Sequence, residues 1–305
     1  MVKEPHIGFV YNTQVPATAS MVQELVENLG LKKTAWISTA EELSMKREQL
    51  QNTSIVVVAG GDGTILRTVR VTSTFEIPLV GINMGKVGFM AELNRDEALE
   101  KLPKYLDDKY HQSSNIRLEE RMMLEANIIS KTDDKPRITL HALNDVAIGT
   151  DNISRLVELE ASVNDAHLTN YRADAVIVAT ATGSTGYALA AGGPIVFPEA
   201  DLMILQPVAA HTGLRDCLIL SPDSTISLEI SGESKAAISA SYDVLSTNHL
   251  GISNDSLGDE LRMLDEVSGG VDHSRNQDLI VWQFHPLKYV PLMLMARVST
   301  FDRDA

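Results

Sequence analysis

Asp62 stands inside Gly60-Gly61-Asp62-Gly63-Thr64, directly after the apolar run Ile55-Val56-Val57-Val58-Ala59. A β-branched run that ends in glycines predicts a strand buried on both faces. Ile65 to Arg70 then predicts the start of a helix. Strand, glycine turn and helix together aim backbone N–H groups at an anion, and glycine lets a phosphate approach the chain without a Cβ in the way. A carboxylate in such a cradle repels its ligand unless it holds a cation or takes a proton. Taken alone, the motif reads first as a helix cap. Two other stretches carry polar chemistry. Leu143-Asn144-Asp145-Val146-Ala147-Ile148 sets an amide–carboxylate pair inside an apolar strand, and burying both requires partners; a turn or bulge is the alternative. Tyr171-Arg172-Ala173-Asp174 leads through an apolar run into Thr180-Ala181-Thr182-Gly183-Ser184-Thr185-Gly186-Tyr187 and on to Ala191-Gly192-Gly193-Pro194. Thr182, Ser184 and Thr185 offer hydroxyls, and Tyr187 offers an aromatic face for a base. The alternative is a hydroxyl-capped helix packed through its alanines.

The elements around these stretches change character along the chain. His6 to Tyr11, Thr34 to Ile37 and Ile77 to Ile82 read as strands. Thr18 to Leu29 carries Met21, Val22, Leu25, Val26 and Leu29 at helical spacing, with Gly30 as its stop. Thr39 to Leu50 reads as a charged helix and Asn94 to Leu106 as a helix capped by its asparagine. Strands alternating with helices predict a parallel sheet with ligands at the carboxyl ends of the strands. Both the 60–64 turn and the Asn83-to-Phe89 loop fall at such ends. From about residue 115 the helical stripes vanish: Ile116 to Ile129, Ile138 to Ile148 and Leu156 to Val163 read as strands separated by polar turns. The expected organisation is an α/β N-terminal domain over 1–114, Rossmann-like, three-layered and mostly parallel. An all-β C-terminal domain follows over 115–284, then a closing segment over 285–305. The polar stretch 246–278 reads as long loops, and His285 to Val298 as a strand or helix.

The chain has 305 residues, enough for a large core and two domains. Hydrophobic residues make up 44% and charged residues 22%, within the range of soluble globular proteins. The single cysteine, Cys217, excludes an internal disulfide and a Cys-rich zinc site. No apolar run reaches membrane-spanning length and the N-terminus lacks a signal-peptide core, so a cytoplasmic location is the default expectation. A net charge of −15 argues against nucleic-acid or membrane partners. An anionic ligand must then be held locally.

Gly60-Gly61-Asp62-Gly63-Thr64, Leu143-Asn144-Asp145-Val146 and Thr180 to Tyr187 with Ala191 to Pro194 together resemble the NAD kinase family in order and spacing. Asn83-Met84-Gly85-Lys86-Val87-Gly88-Phe89-Met90 is similar to its Asn-x-Gly-x-Leu-Gly-Phe-Leu loop, and Gln206 to Thr212 to its Thr-Pro-Ile-Ala-Pro-His segment. The resemblance covers roughly residues 5 to 245. The Gly-Gly-Asp-Gly turn alone is shared with diacylglycerol, sphingosine and phosphofructo-kinases. The resemblance implies transfer of a phosphoryl group from ATP to the 2′-hydroxyl of the adenosine ribose of NAD, with Mg²⁺ on the triphosphate. It implies NAD bound between the domains and a homodimer or homotetramer whose neighbouring subunits complete the pocket.

Residue by residue, the resemblance makes Asp62 the proton acceptor, with Gly63 beside it. It gives the nicotinamide-side ribose to Asn144 and Asp145, where the family more often has Glu. Arg172 and Asp174 match its Arg-x-Asp, and Thr185, Gly186 and Tyr187 its adenine side, with Thr182 and Ala190 in the same motif. Ala209 lines the nicotinamide pocket, Phe89 is the aromatic of the glycine loop, and Arg67 is the basic position after the turn. No protein metal site is implied. The chain departs from the pattern at Ala181, Gly186 and Ala188, which replace Pro, Ala and Ser, and at Ala190, where Ser is usual. Ala175 replaces a glycine, and Ser241-Tyr242-Asp243-Val244 stands where Asp-Gly-Gln is expected. A lipid or other small-molecule kinase on the same scaffold and a non-catalytic NAD(P)-binding sensor remain the alternatives.

Overall fold

The computed structural model of the chain describes residues 6–85, 88–106, 116–130, 138–149, 156–230, 237–240, 245–246 and 280–295. The chain divides into two compact units, residues 1–121 with 290–305, and residues 122–289. The loops expected over 246–278, apart from Ser246, lie outside the described residues, as do Lys86 and Val87. Among the described residues no helix is long and apolar enough to cross a membrane.

The first unit is the expected parallel α/β layer. Strands β1 (His6–Tyr11), β2 (Ala35–Thr39), β3 (Thr53–Gly60) and β4 (Leu79–Asn83) pair in parallel in the order β4-β3-β1-β2. Helix α1 (Pro16–Asn28) buries Met21, Val22, Leu25 and Val26 against Ile7, Phe9, Ile55, Val57, Val80 and Ile82. The other face takes helix α3 (Asp62–Thr72): a Cβ on Gly81, which points away from Val80 and Ile82, would lie 2.7 Å from Ile65 Cδ1. The helices that follow the neighbouring strands β1 and β3 thus leave on opposite faces. Such a reversal opens a crevice beyond the carboxyl ends of those strands. Asp62 sits at its rim.

Two helices differ from the sequence reading. The stretch Thr39 to Leu50 forms only a 3₁₀ turn, Leu43–Lys46, and the single helical turn α2, Arg47–Leu50. Its buried apolar residues are Ala40, Leu43 and Leu50, while Met45 is exposed, so no apolar stripe sustains a longer helix. Helix α4 begins at Ala98 rather than at Asn94 and ends at Leu106. Asn94, in the short strand β5 (Leu93–Asn94), still caps it: its Oδ1 accepts the N–H groups of Asp96 and Glu97, and Glu97 Oε1 accepts the N–H of Asn94. That reciprocal pair is a capping box.

The second unit is antiparallel. One sheet holds the later part of β6 (Ile116–Ser130), β7 (Ile138–Ala142), β9 (Val157–Val163), β10 (Ala166–Ala173), β14 (Ile226–Ile230), β16 (Leu245–Ser246) and the first part of β17 (Ile280–Met295). The other runs β13-β12-β11-β8-β15, with β8 (Asp145–Gly149), β11 (Ala175–Thr180), β12 (Met203–Val208), β13 (Leu218–Leu220) and β15 (Ala237–Ala240). Alternate residues of β8, β11 and β12, such as Val146, Val178 and Leu205, pack on Leu124, Leu159 and Leu228 of the first sheet. The intervening Ala147, Ile177, Ala179 and Ile204 pack on Ala188. The described part of His285 to Val298 is strand, the end of β17, one of the two forms expected for it.

The stretch Ile138 to Ile148 is two strands, not one. Its halves β7 and β8 belong to different sheets, and the chain crosses between them at Leu143 and Asn144. It crosses again between β10 and β11 at Asp174 alone. Both crossings fall on polar residues singled out by the sequence.

Candidate functional site

In the first unit, the turn after β3 forms because each glycine meets a different demand. A Cβ on Gly60 would lie 2.6 Å from Thr64 Cβ, so packing against the buried Thr64 excludes a side chain there. Gly61 and Gly63 have open space where a Cβ would sit. Nothing lies within 4 Å of a Cβ at those two positions, so the backbone there is open to close approach.

Gly61, not Asp62, is the residue before the first turn of α3, and Asp62 is its first residue. A carboxylate there is favoured by the helix dipole. It does not cap the helix, however. Asp62 Oδ2 accepts the N–H of Phe89 at 2.9 Å and Oδ1 that of Met90 at 3.2 Å. Phe89 itself leaves 65% of its surface exposed. Arg67, one turn into α3, is held by Glu41, Nη1 to Oε1 at 3.1 Å. Gly63 is exposed beside Asp62.

In the second unit, Asn144 and Asp145 are docked on the turn that follows β11. Thr180 is the rivet: fully buried, its hydroxyl donates to the Leu143 carbonyl at 2.6 Å and accepts the Gly183 N–H at 3.1 Å. Its own N–H donates to the Asn144 carbonyl at 2.8 Å. Gly183 lies so close that a Cβ would overlap the Asn144 carbonyl oxygen and sit 2.5 Å from its carbon. Asp145 opens β8 opposite Ala179 and is 2% exposed. Asn144 Oδ1 is buried with no hydrogen-bond partner among the described residues. An unmet buried acceptor of this kind costs about 1–3 kcal/mol.

The hydroxyl run is a 3₁₀ turn, Thr182–Thr185, followed by a helical turn, Tyr187–Ala190. Its hydroxyls divide by role. Ser184 Oγ accepts the Val196 N–H at 3.1 Å and is buried, so it braces the following loop. Thr182 is buried, and Thr185 Oγ1 donates to the Thr182 carbonyl at 3.3 Å. Gly186 lies against the pair: a Cβ there would be 3.1 Å from Asp145 Oδ2 and 3.7 Å from Asn144 Nδ2. Tyr187 is 43% exposed, and Ala190 is exposed at the end of the helical turn.

Arg172, Asp174 and Ala209 gather elsewhere. The Asp174 N–H donates to Val208, that of His211 to Arg172, and that of Arg172 to Thr212. Ala209 is exposed with φ of 48°, a left-handed conformation a side chain seldom adopts. The Arg172 guanidinium faces Glu158 at 3.5 Å. This group sits at the Ala175 end of β11, whereas Asn144, Asp145 and Gly186 sit at its Thr180 end. Five strand steps of about 3.3 Å separate the ends by roughly 16 Å. Sequence reasoning named Arg172, Asp174 and Ala209 but missed Glu158, and in the other clusters it missed the parts of Thr180 and Gly88. A threonine closing an apolar strand was the signal for Thr180, and Gly88 stood unnoticed in the glycine loop.

Profiles of the ATP-NAD kinase N-terminal domain and C-terminal domain match residues 12–110 and 143–252. The NAD kinase of Dehalococcoides mccartyi strain CBDB1 is 34% identical over 236 residues, 76% of this chain and 80% of that protein. That of Caldanaerobacter subterraneus subsp. tengcongensis is 39% identical over 196 residues, 64% of this chain and 66% of that protein. Among solved structures, a yeast NADH kinase complexed with NADH shares the fold at a TM-score of 0.72 and 21% identity, over 97% of this chain and 84% of that one. An Archaeoglobus fulgidus NAD kinase in complex with ATP does so at 0.62 and 21%, over 95% and 93%. With both domain profiles in register and the motif residues on the elements just described, the chain belongs to the NAD kinase family.

Proposed function

We propose that the chain transfers the γ-phosphoryl group of Mg²⁺-bound ATP to the 2′-hydroxyl of the adenosine ribose of NAD, giving NADP. The names of the relatives support this, as do the NADH and ATP held by the two structural neighbours. The observation that carries it is Asp62, an oriented carboxylate at the start of α3 between two glycines with open space above them. Phosphoryl transfer asks for positioning and charge neutralisation more than covalent help. Backbone N–H groups at Gly61 and Gly63 receive the triphosphate, and Arg67 adds charge on leaving Glu41. Asp62 accepts the hydroxyl proton as the new P–O bond forms, which is worth about 10²–10⁴-fold.

Asn144 and Asp145 take the nicotinamide-side ribose, and Thr182, Thr185, Gly186, Tyr187 and Ala190 the adenine side. Phe89 offers its exposed ring, and Ala209, with Arg172 and Asp174, lines the nicotinamide pocket. Mg²⁺ enters as part of the ATP substrate, held through the triphosphate and water. The working protein is a cytoplasmic homodimer or homotetramer. The roughly 16 Å between the two ends of β11 supports a pocket completed by a neighbouring subunit.

The test is incubation with ATP, Mg²⁺ and NAD, reading NADP with an NADP-specific dehydrogenase. Steady NADP formation that stops without ATP is expected. Its absence from folded protein, with NAD still bound, would return the chain to the non-catalytic sensor reading.

A further inference from the structure

Gly88 has no conformational reason to be glycine, because its φ is outside the left-handed region. Its reason is Asp62. A Cβ on Gly88 would collide with the Asp62 carboxylate, 2.7 Å from Cγ and 2.9 Å from Oδ2. The backbone therefore comes closer to the carboxylate than any residue with a side chain allows. The next two amides then donate to it, Phe89 to Oδ2 and Met90 to Oδ1. Each carboxylate oxygen carries two lone pairs. The amides engage one on each oxygen and leave one on each for a substrate. With both oxygens held, rotation of the carboxylate about Cβ–Cγ is blocked.

The geometry points to the backbone of Gly88, Phe89 and Met90 as the positioning element of Asp62. It fixes where the free lone pairs face, and so where the ribose hydroxyl must arrive to lose its proton. This rests on the reading of Asp62 as proton acceptor. The step itself is balanced: the hydroxyl oxygen bonds to the γ-phosphorus, the bond to the ADP oxygen breaks, and the proton passes to Asp62. A displacement of about 1 Å in such a group can cost on the order of 10²-fold.

The test is a cycle of Gly88→Ala, Asp62→Asn and the double variant, each followed by kcat, KM for NAD, and thermal unfolding. Gly88→Ala should lower kcat about 10–100-fold with KM for NAD within about threefold. In the Asp62→Asn background the same change should alter kcat by less than about threefold, because there is no base left to position. If Gly88→Ala does not fold, Met90→Pro removes one amide donor, leaves Gly88 intact and enters the same cycle. Asp62→Asn turning over within a few-fold of the parent would defeat the reading of Asp62 as base. Asp62→Asn losing two decades while Gly88→Ala stays within twofold would defeat the positioning role alone, as would equal losses from Gly88→Ala in both backgrounds.

Discussion

Removing the Thr180 hydroxyl should both loosen the second unit and weaken NAD binding. Thr180→Val keeps the shape of a side chain that is fully buried, so no cavity opens. What disappears is one hydrogen bond to the Leu143 carbonyl and one from the Gly183 N–H, at 2.6 and 3.1 Å. Each group left behind in a buried setting costs about 1–3 kcal/mol, so the loss should total roughly 2–6 kcal/mol. With a urea slope of about 2 kcal/mol/M, the unfolding midpoint should fall by about 1–3 M. The same two bonds seat the Asn144–Asp145 bend on the Gly183–Gly186 turn. The bend keeps its bond from the Thr180 N–H. Its slackening should therefore weaken NAD binding about tenfold, equivalent to roughly 1.4 kcal/mol. Thr180→Ser retains the hydroxyl and should recover most of both losses. Urea unfolding followed by circular dichroism and calorimetric titration with NAD provide the two readings. A Thr180→Val protein within about 0.5 kcal/mol of the parent, with unchanged NAD affinity, would show that the bend is held by packing alone.

The capping box of α4 should make the first unit acid-sensitive. The Lys101 ammonium, then the Asn94 N–H, holds the Glu97 carboxyl below the usual glutamate range. A depressed value contributes stability above the unfolded-state pKa, about 4.3, and loses it as pH falls through the lower folded-state value. Glu97→Gln should cost about 0.2–0.5 kcal/mol near neutrality, the usual worth of an i,i+4 pair. In unfolding titrations from pH 7 to 3 the gap to the parent should close; a gap constant down to pH 3 would refute the ionic origin. At the ribose pair, Gly186→Ala should weaken NAD binding several-fold, because its Cβ would press on Asp145 Oδ2 at 3.1 Å. Adding Asp145→Glu should restore affinity to within a few-fold, and strictly additive losses by calorimetry would show the two positions to be independent.

The sequence yields the elements whose periodicity is their own and conceals those decided by a partner. Helix α1 and strand β3 announce themselves, because a stripe or a run of apolar side chains is the local form of burial. The break of Ile138 to Ile148 into β7 and β8 has no such signature. Leu143 is as buried as its neighbours, and the apolar pattern continues while the chain changes sheet. What marks the crossing is the polarity of Asn144, which equally suits a binding site, and sequence alone cannot divide the two meanings. The Thr180 bonds brace the bend, and the bend sets Asn144 and Asp145 against the Gly183–Gly186 turn. Asp62 follows the same logic. Its type and its glycines were readable, but its partners lie in a loop more than twenty residues away. The departures from the family pattern show most clearly what linear comparison misses. Asp145 for Glu and Gly186 for Ala look like two separate losses, some forty residues apart. In space they are one contact, with a carboxylate oxygen lying 3.1 Å from where the alanine methyl would be. The carboxylate and the missing methyl are two sides of one packing arrangement, so the two departures are coupled in space.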